Sequence, residues 1–248
     1  DELGDIIEVL FADSDGTYGY RRIHADLQRA GRPCDPQTVR VLMAERGLVA
    51  CQPRPRGPRT TIPAASGALP DLVNRDFTAD EPGLKLVGDI TYIPTWQGWV
   101  YLATVLDCCT KKVVGYAMAE HMRTELVVDA LKMAIINGHT RHGETIFHSD
   151  RGTQYMSAEF AEFTRDAGIV RSVGRTGICY DNAWAESFNA TLKVERVHRT
   201  VYPTRRHAIG DIARYIELRY NQRRLHSALQ YRTPNEAEQD WYETNKAA

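Results

Sequence analysis

The order of its apolar segments is the feature that most restricts how this chain of 248 residues can fold. Between residues 84 and 119, three segments rich in β-branched and aromatic residues are separated by short turn sequences. The pattern predicts strands at Leu84–Thr95, Trp99–Leu106 and Lys112–Ala119, with turns at Gly98 and at Asp107–Thr110. Consecutive strands joined by such short turns form an antiparallel meander.

Helical and strand-like periodicities then alternate up to residue 197. They predict, in order, the helix Thr124–Asn137, the strand Thr145–Ser149, the helix Ala158–Ala167, the strand Ile169–Val173 and the helix Ala183–Val197. A meander followed by helix, strand, helix, strand and helix is the order of an RNase H-like core. The predicted fold class is therefore α/β, with a mixed five-stranded sheet flanked by helices.

Residues 1–52 predict a small helical module in front of this core. Gly31 ends one helix, Asp35 and Pro36 supply an N-cap and a first-turn proline for the next, and Gly47 ends that one. Two short helices joined by a glycine-containing turn suit a helix-turn-helix-like DNA-binding module. Any small helical bundle would give a similar pattern.

The remaining segments divide the chain into four regions. The module at 1–52 is followed by a Pro- and Arg-rich linker at 53–80, the RNase H-like core at 81–200 and a basic, helical C-terminal extension at 201–248. We expect no membrane span, because no run of about 18 apolar residues occurs. Five scattered cysteines without a CxxC pair favour a reducing cytoplasm.

Charge is unevenly distributed along the chain, although the net charge is only −1. Residues 18–59 carry nine Lys or Arg against three Asp or Glu, residues 71–190 carry eleven against sixteen, and residues 191–232 carry ten against three. An acidic middle between two basic arms suits a protein that holds cations at its centre and a polyanion at its sides. The alternative is a set of solvated, arginine-rich helix faces.

Three carboxylates lie in or at the ends of predicted elements. Asp89 lies in the first strand, Asp150 directly follows the fourth, and Glu186 lies in the first turns of the helix that begins at Ala183. Two strand aspartates and a helix glutamate suit a pair of Mg²⁺ ions that grip a phosphodiester. We expect Asp89 to bridge both ions, Asp150 to hold one and Glu186 the other, which makes all three metal ligands and catalytic residues.

Two polar residues follow Glu186 on the same predicted helix face. Lys193 lies two helical turns after Glu186 and Asn189 lies between them, so both are expected to contact DNA beside the site. An ordinary exposed lysine is the alternative for Lys193. Asp181 or Asn182 is the expected N-cap of this helix.

Other reactive side chains near these positions have simpler explanations. Asp107 precedes a turn, where Asp is common for local reasons. His148 shares a strand face with Asp150 and is interpreted as a packing or orienting neighbour rather than a ligand or base. Cys108 and Cys109 are interpreted as buried small hydrophobic residues.

Several motifs, taken in order, resemble one known family. They are Tyr18–Ile23, Gly88–Ile93, His148–Tyr155, Asp181–Asn189 with Leu192, Lys193 and Glu195 after it, Tyr220-Asn221, Arg223–Leu229 and Thr233-Pro234. Together they closely resemble the DDE transposases of bacterial insertion sequences, in particular the second-reading-frame (OrfB) products of the group named after insertion sequence three. These enzymes are relatives of retroviral integrases. The resemblance covers nearly the whole chain.

The resemblance implies an integrase-like catalytic core with its triad on Asp89, Asp150 and Glu186, and with two Mg²⁺ ions, or Mn²⁺, as cofactors. It implies 3′-end cleavage and strand transfer on double-stranded DNA, both the element's terminal inverted repeats and the target. It also implies a homo-oligomer on DNA in the bacterial cytoplasm, associated with the nucleoid. An upstream-frame protein usually supplies a further helix-turn-helix and a leucine zipper, neither of which is evident here.

The expected DNA contacts outside the core are arginines of the module and the linker, namely Arg21, Arg22, Arg40, Arg54 and Arg56. Two other functions compete with transposition. One is a nuclease of the same fold that only hydrolyses DNA, and the other is a non-catalytic, transposase-derived DNA-binding regulator. The regulator predicts a lost carboxylate, whereas all three are present.

Overall fold

A computed structural model describes residues 2–52, 69–174 and 182–246. The chain divides into two compact units, residues 1–56 and residues 57–248. The first unit contains three helices, α1 (Glu2–Asp13), α2 (Tyr20–Arg29) and α3 (Pro36–Glu45). Their apolar faces meet in a small core that contains Ile7, Ile23, Leu27 and Val39.

Local signals define the ends of these helices as the sequence predicted. The Asp35 carboxylate accepts a hydrogen bond from the backbone N–H of Gln37 at 2.7 Å, so it caps α3. Gly31 and Gly47 adopt φ values of +71° and +66°, which glycine tolerates and which stop α2 and α3. The predicted pair of short helices is confirmed.

The second unit contains a five-stranded sheet. Its strands are β1 (Lys85–Thr95), β2 (Gly98–Asp107), β3 (Val113–Ala119), β4 (Ile146–Ser149) and β5 (Val170–Val173). The strand order is β3-β2-β1-β4-β5, with antiparallel pairs among the first three strands and parallel pairs from β1 to β4 and from β4 to β5. The predicted mixed sheet is therefore confirmed. Gly98, predicted as a turn, instead opens β2 with φ +103°.

In the described residues of the second unit, five α-helices accompany the sheet: α4 (Thr124–Ile136), α5 (Ala158–Asp166), α6 (Ala183–Glu195), α7 (Arg205–Arg214) and α8 (Pro234–Lys246). α6 ends two residues earlier than predicted, and a 3-10 turn follows it at Val197–Arg199. The helical stretch predicted after residue 204 contains a π-helical segment, Tyr215–Asn221, that periodicity did not indicate. None of the helices in the described segments has both the length and the apolar character of a bilayer span.

The sheet separates two apolar cores. On one face, Val87 and Ile93 of β1 pack with Phe188 and Leu192 of α6 and with residues of α7 and the π-helical segment. On the other face, alternate residues such as Leu86 pack against α4 and α5. Because successive side chains of a strand point to opposite faces, alternate residues of β1 lie in the two cores, and β1 is buried between them.

Candidate active site

Asp89 lies where β1 extends past its parallel neighbour. β4 pairs with β1 only along Lys85–Val87, so Asp89 comes just beyond the end of that ladder. The preceding Gly88 has no room for a side chain, because a Cβ there would lie 2.3 Å from the Phe147 ring. This glycine lets β1 approach β4 closely and places Asp89 near the end of β4.

Two donors orient the Asp89 carboxylate. The Asn189 side-chain amide of α6 donates to Asp89 Oδ2 at 2.8 Å, and the backbone N–H of Ile90 donates to Oδ1 at 2.9 Å. Asn189 is itself buried. α6 therefore fixes the direction of this carboxylate from the side opposite to α4 and α5.

Burial and neighbouring negative charges make ionisation of Asp89 unfavourable. Burial, then the charge of Asp150 and, with a smaller effect, that of Glu186 raise the pKa of Asp89 to about 7. The hydrogen bonds from Ile90 and Asn189 oppose the increase. Asp150 and Glu186, the other two carboxylates singled out by the sequence, therefore both act electrostatically on Asp89.

The other two carboxylates occupy more open positions. Asp150 directly follows β4, is exposed, and accepts a hydrogen bond from the backbone N–H of Gly152 at 2.9 Å. Glu186 is half-buried in the first turns of α6. Tyr155 is buried nearby, and its pKa is raised by burial and then by the charges of Asp89 and Asp150. The acidic cluster thus has a desolvated side at Asp89 and an open side at Asp150.

The donor set fits divalent cations held by pairs of carboxylates. Within residues 2–52, 69–174 and 182–246, no three His, Cys, Asp or Glu side chains are arranged around a single ion. A hydrated Mg²⁺ needs only one or two protein carboxylates and keeps several waters. The buried Oδ1 atoms of Asn182 and Asn189 find no hydrogen-bond partner in the described part of the chain, so both could accept from such waters.

Lys193 lies at the edge of this cluster. Its ammonium nitrogen lies 4.7 Å from the centroid of the Tyr92 ring. Burial lowers the pKa of Lys193, and the charge of Asp89 partly opposes that effect. The α6 face that carries Asn189 and Lys193 therefore turns towards β1, as the helical spacing predicted.

The start of α6 differs from the sequence prediction. Asn182 occupies the N-cap position but makes no capping hydrogen bond, and its side-chain amide donates instead to the Gly88 carbonyl at 3.0 Å. The other cap candidate, Asp181, lies outside the described residues. Asn182 thus connects α6 to β1 directly beside Asp89.

The competing side chains have the structural roles that the sequence indicated. Asp107 is buried and accepts hydrogen bonds from the N–H groups of Gly83, Cys109 and Thr110 and from the Thr110 hydroxyl. His148 is fully buried, and its Nδ1 lies 2.8 Å from the Ser172 hydroxyl. Cys108 is buried as predicted, whereas Cys109 is only half-buried, so its predicted burial is wrong.

Three of the five arginines expected to contact DNA lie in the described part of the first unit. Arg21 and Arg40 are exposed, and Arg22 is half-buried with its guanidinium 5.7 Å from the Tyr18 ring centroid. Arg54 and Arg56 lie outside the described residues, as does most of the predicted linker. DNA contact by these arginines stays a prediction.

A buried network that sequence analysis missed holds the other end of α6. Both carboxylate oxygens of Glu195 accept hydrogen bonds from the Arg224 guanidinium at 2.8–3.0 Å, and the Tyr215 hydroxyl donates to Glu195 at 2.8 Å. Glu195 and Arg224 are nearly inaccessible to solvent. Glu195 and Arg224 each belong to a family-like motif, but no local pattern indicates that they pair.

Three protein-family models, which describe two kinds of domain, match the chain. Residues 1–56 match an HTH-like domain. Residues 79–179 match one model of the integrase core domain, and residues 167–234 match a second. The integrase matches thus include β1 to β5, α6 and the Glu195–Arg224 pair.

Curated relatives and solved structures agree with these matches. The chain is 37% identical to the transposase for insertion sequence element IS904 of Lactococcus lactis, over 95% of this chain and 93% of the relative. It is 36% identical to the transposase for IS629 of Shigella sonnei, over 98% of this chain and 80% of the relative. Its fold resembles a chain of the simian T-cell lymphotropic virus intasome, with a TM-score of 0.51, 16% identity, and coverage of 87% and 70% of the two chains.

Proposed function

Because the chain belongs to the insertion-sequence transposases with an integrase core, we propose that Asp89, Asp150 and Glu186 are its catalytic carboxylates. The chain is a polynucleotidyl transferase whose family acts in DNA transposition. The observation that carries the residue assignment is the effect of Asp150 and Glu186 on the ionisation of Asp89. A half-buried aspartate whose pKa is raised by desolvation and by two other carboxylates suits a site that becomes stable as an anion only beside cations.

The proposed ligand set consists of two pairs that share Asp89. Asp89 and Asp150 would hold one divalent ion, and Asp89 and Glu186 the other. Two Mg²⁺ ions, with Mn²⁺ as a substitute, would supply electrostatic stabilisation to the attacking and leaving oxygens of a phosphodiester. Asn189 keeps Asp89 aimed into the cluster by its 2.8 Å hydrogen bond.

The remaining side chains position the DNA substrate in this proposal. Lys193 extends from α6 beside Asp89 and would contact a phosphate next to the reacting one. Hydrolysis of one strand at the element's end frees a 3′-hydroxyl. That hydroxyl would then attack a phosphodiester of a second duplex at the same carboxylates. A new phosphodiester forms as the bond between phosphorus and the target strand's own 3′-oxygen breaks, and that oxygen leaves as a 3′-hydroxyl. Two element ends must meet for transposition, so we infer that a homo-oligomer assembles on DNA.

The test is metal-dependent cleavage and joining of linear duplexes that carry the element's terminal inverted repeats. Asp150→Asn and Glu186→Gln keep side-chain size and remove charge, so each should lower the cleavage rate about 100-fold or more in Mg²⁺. Asp129→Asn, an exposed aspartate of α4, is the matched control and should cleave like the wild type. Asp150→Asn with wild-type activity would remove Asp150 from the site.

The products of the same reaction separate the two enzymatic functions. Joining of the freed 3′-end to a second duplex would identify strand transfer. Cleavage alone, with both inverted repeats and Mg²⁺ present, would instead support a hydrolytic nuclease.

A further inference from the structure

The hairpin that joins β1 to β2 exposes three large aromatic side chains. The exposed fractions are 77% for Trp96, 53% for Tyr92 and 47% for Trp99, and we call these three residues the hairpin aromatic surface. Aromatic side chains usually lie in cores, and contiguous exposed apolar surface generally marks a binding site. The hairpin aromatic surface therefore needs a ligand to explain it.

The hairpin is held in place by hydrogen bonds to the segment before α7. The Trp96 N–H donates to the Tyr202 carbonyl at 3.1 Å, and the Arg205 N–H donates to the Gln97 side chain at 3.0 Å. The Arg205 guanidinium also donates to the Trp99 carbonyl at 3.3 Å. A surface whose backbone is fixed in this way binds with a small loss of conformational entropy.

Two of the three aromatic rings, those of Trp99 and Tyr92, form a path towards the acidic cluster. The Trp99 and Tyr92 rings meet edge to face with their centroids 5.0 Å apart. The Lys193 ammonium lies over the Tyr92 ring, 4.7 Å from its centroid. Lys193 is also the residue that interacts electrostatically with Asp89. The path thus runs from Trp99 through Tyr92 and Lys193 to Asp89.

The spacing along β1 corresponds to a few nucleotides. With a rise of about 3.3 Å per residue, Tyr92 lies about 10 Å and Trp96 about 23 Å along the strand from Asp89. Stacked nucleotides in one DNA strand advance by about 3.4 Å each. The path is therefore long enough for roughly three to six nucleotides next to the reacting phosphodiester.

We propose that the hairpin aromatic surface binds unpaired nucleotides of the DNA strand that leads away from the catalytic carboxylates, by stacking their bases on Trp96 and Trp99. This inference rests on the proposed function, since it takes DNA as the substrate of the adjacent site. Charge favours this occupant over an apolar protein, because Lys193 and Arg205 border the surface, although Arg205 also pairs with Glu120 at 2.8 Å. Aromatic platforms beside cationic side chains bind single strands with little sequence preference.

Binding of a fluorescein-labelled 12-nucleotide thymidine strand to the full chain in EDTA tests the proposal without cleavage. Trp96→Ala and Trp99→Ala should each weaken binding about 5-fold or more, the lower end of what one base–aromatic stack contributes. The slope of log affinity against log salt should stay unchanged, because no phosphate contact is removed. Affinity for a blunt duplex should also stay unchanged.

Two further variants make the result specific. Trp96→Phe should keep most of the affinity, because it retains a stacking face. It should also remove the contribution of Trp96 to the quenching of tryptophan fluorescence when the strand binds. Tyr242→Ala, which removes an exposed aromatic side chain of α8, should bind like the wild type. Because Trp96 is exposed, its substitution should leave the thermal unfolding midpoint unchanged.

Wild-type affinity of both alanine variants for the thymidine strand would overturn the proposal. So would a sedimentation experiment in which Trp96→Ala dissociates a DNA-free oligomer while strand affinity stays intact, since the surface would then be a protein interface. Either result would leave the catalytic proposal standing, because that proposal depends on cleavage by the wild type and its loss in Asp150→Asn.

Discussion

Removing the charge of Asp89 should stabilise the metal-free protein at alkaline pH while it abolishes activity. In the folded protein, burial together with the charges of Asp150 and Glu186 raises the pKa of Asp89 from 3.8 to about 7. Between those pH values the folded chain keeps a proton that the unfolded chain has released. The free energy of unfolding therefore falls as pH rises through this window, and the full penalty is present above pH 7.

The size of the effect follows from the pKa. A tenfold change in proton binding corresponds to about 1.4 kcal/mol, so the penalty at pH 8 is roughly 4 kcal/mol at most. Asp89→Asn avoids this penalty. However, the Ile90 N–H and the Asn189 amide each donate to a different carboxylate oxygen, and asparagine has only one oxygen to accept them. The unpaired donor costs about 1–3 kcal/mol. The variant should thus be about 1–3 kcal/mol more stable than the wild type at pH 8 and less stable by a similar amount at pH 4.

Thermal unfolding in EDTA at pH 4, 6 and 8 measures this change of sign. For a protein of this size, 1 kcal/mol shifts the midpoint by about 2–4 °C. MgCl₂ should raise the midpoint of the wild type at pH 8 and leave that of Asp89→Asn nearly unchanged. The exposed Asp129→Asn should follow the wild type throughout. A pH-independent difference between Asp89→Asn and the wild type, or equal stabilisation of both by MgCl₂, would refute the reasoning.

Two other substitutions test contacts made by residues of α6. Lys193→Met should weaken duplex binding about equally for all DNA sequences. In anisotropy titrations it should reduce the slope of log affinity against log salt concentration by about 1, and an unchanged slope would exclude a phosphate contact. Arg224→Met leaves Glu195 buried without its guanidinium partner and should cost about 3–5 kcal/mol in urea unfolding. Adding Glu195→Gln should recover part of that loss, and a double variant no more stable than Arg224→Met would contradict the pairing.

The elements that sequence analysis predicted are those that local chemistry specifies. Asp35 and Pro36 start α3 by a cap and a fixed φ, and Gly31 and Gly47 end α2 and α3 by positive φ values. β1 is also locally specified, because alternate positions must bury against two different cores. In such cases the local conformational preference of each residue agrees with the fold, so the residue types and their spacing are sufficient to predict the element.

The features that sequence analysis missed depend on partners far away in the chain. Asn182 satisfies the Gly88 carbonyl, 94 residues away, instead of capping its own helix. α6 ends at Glu195, whose carboxylate pairs with Arg224, 29 residues later. β2 begins at Gly98, directly after the hairpin turn, and the guanidinium of the distant Arg205 leaves little room for a side chain there. A residue's type gives its hydrogen-bonding capacity, whereas the fold alone selects the partner.

These distant contacts explain how an acidic cluster that opposes folding can persist. α6 carries Glu186 and Asn189 to Asp89, so any movement of α6 would relieve the repulsion and destroy the site. Asn182 fixes one end of the helix to β1, and the buried Glu195–Arg224 pair fixes the other. The C-terminal segment after residue 200 therefore contributes directly to the geometry of the proposed catalytic site: without Arg224, Glu195 would be buried at the end of α6 without its cationic partner. Position of the carboxylates and stability of the C-terminal segment are consequently coupled, and each should change when the other is perturbed.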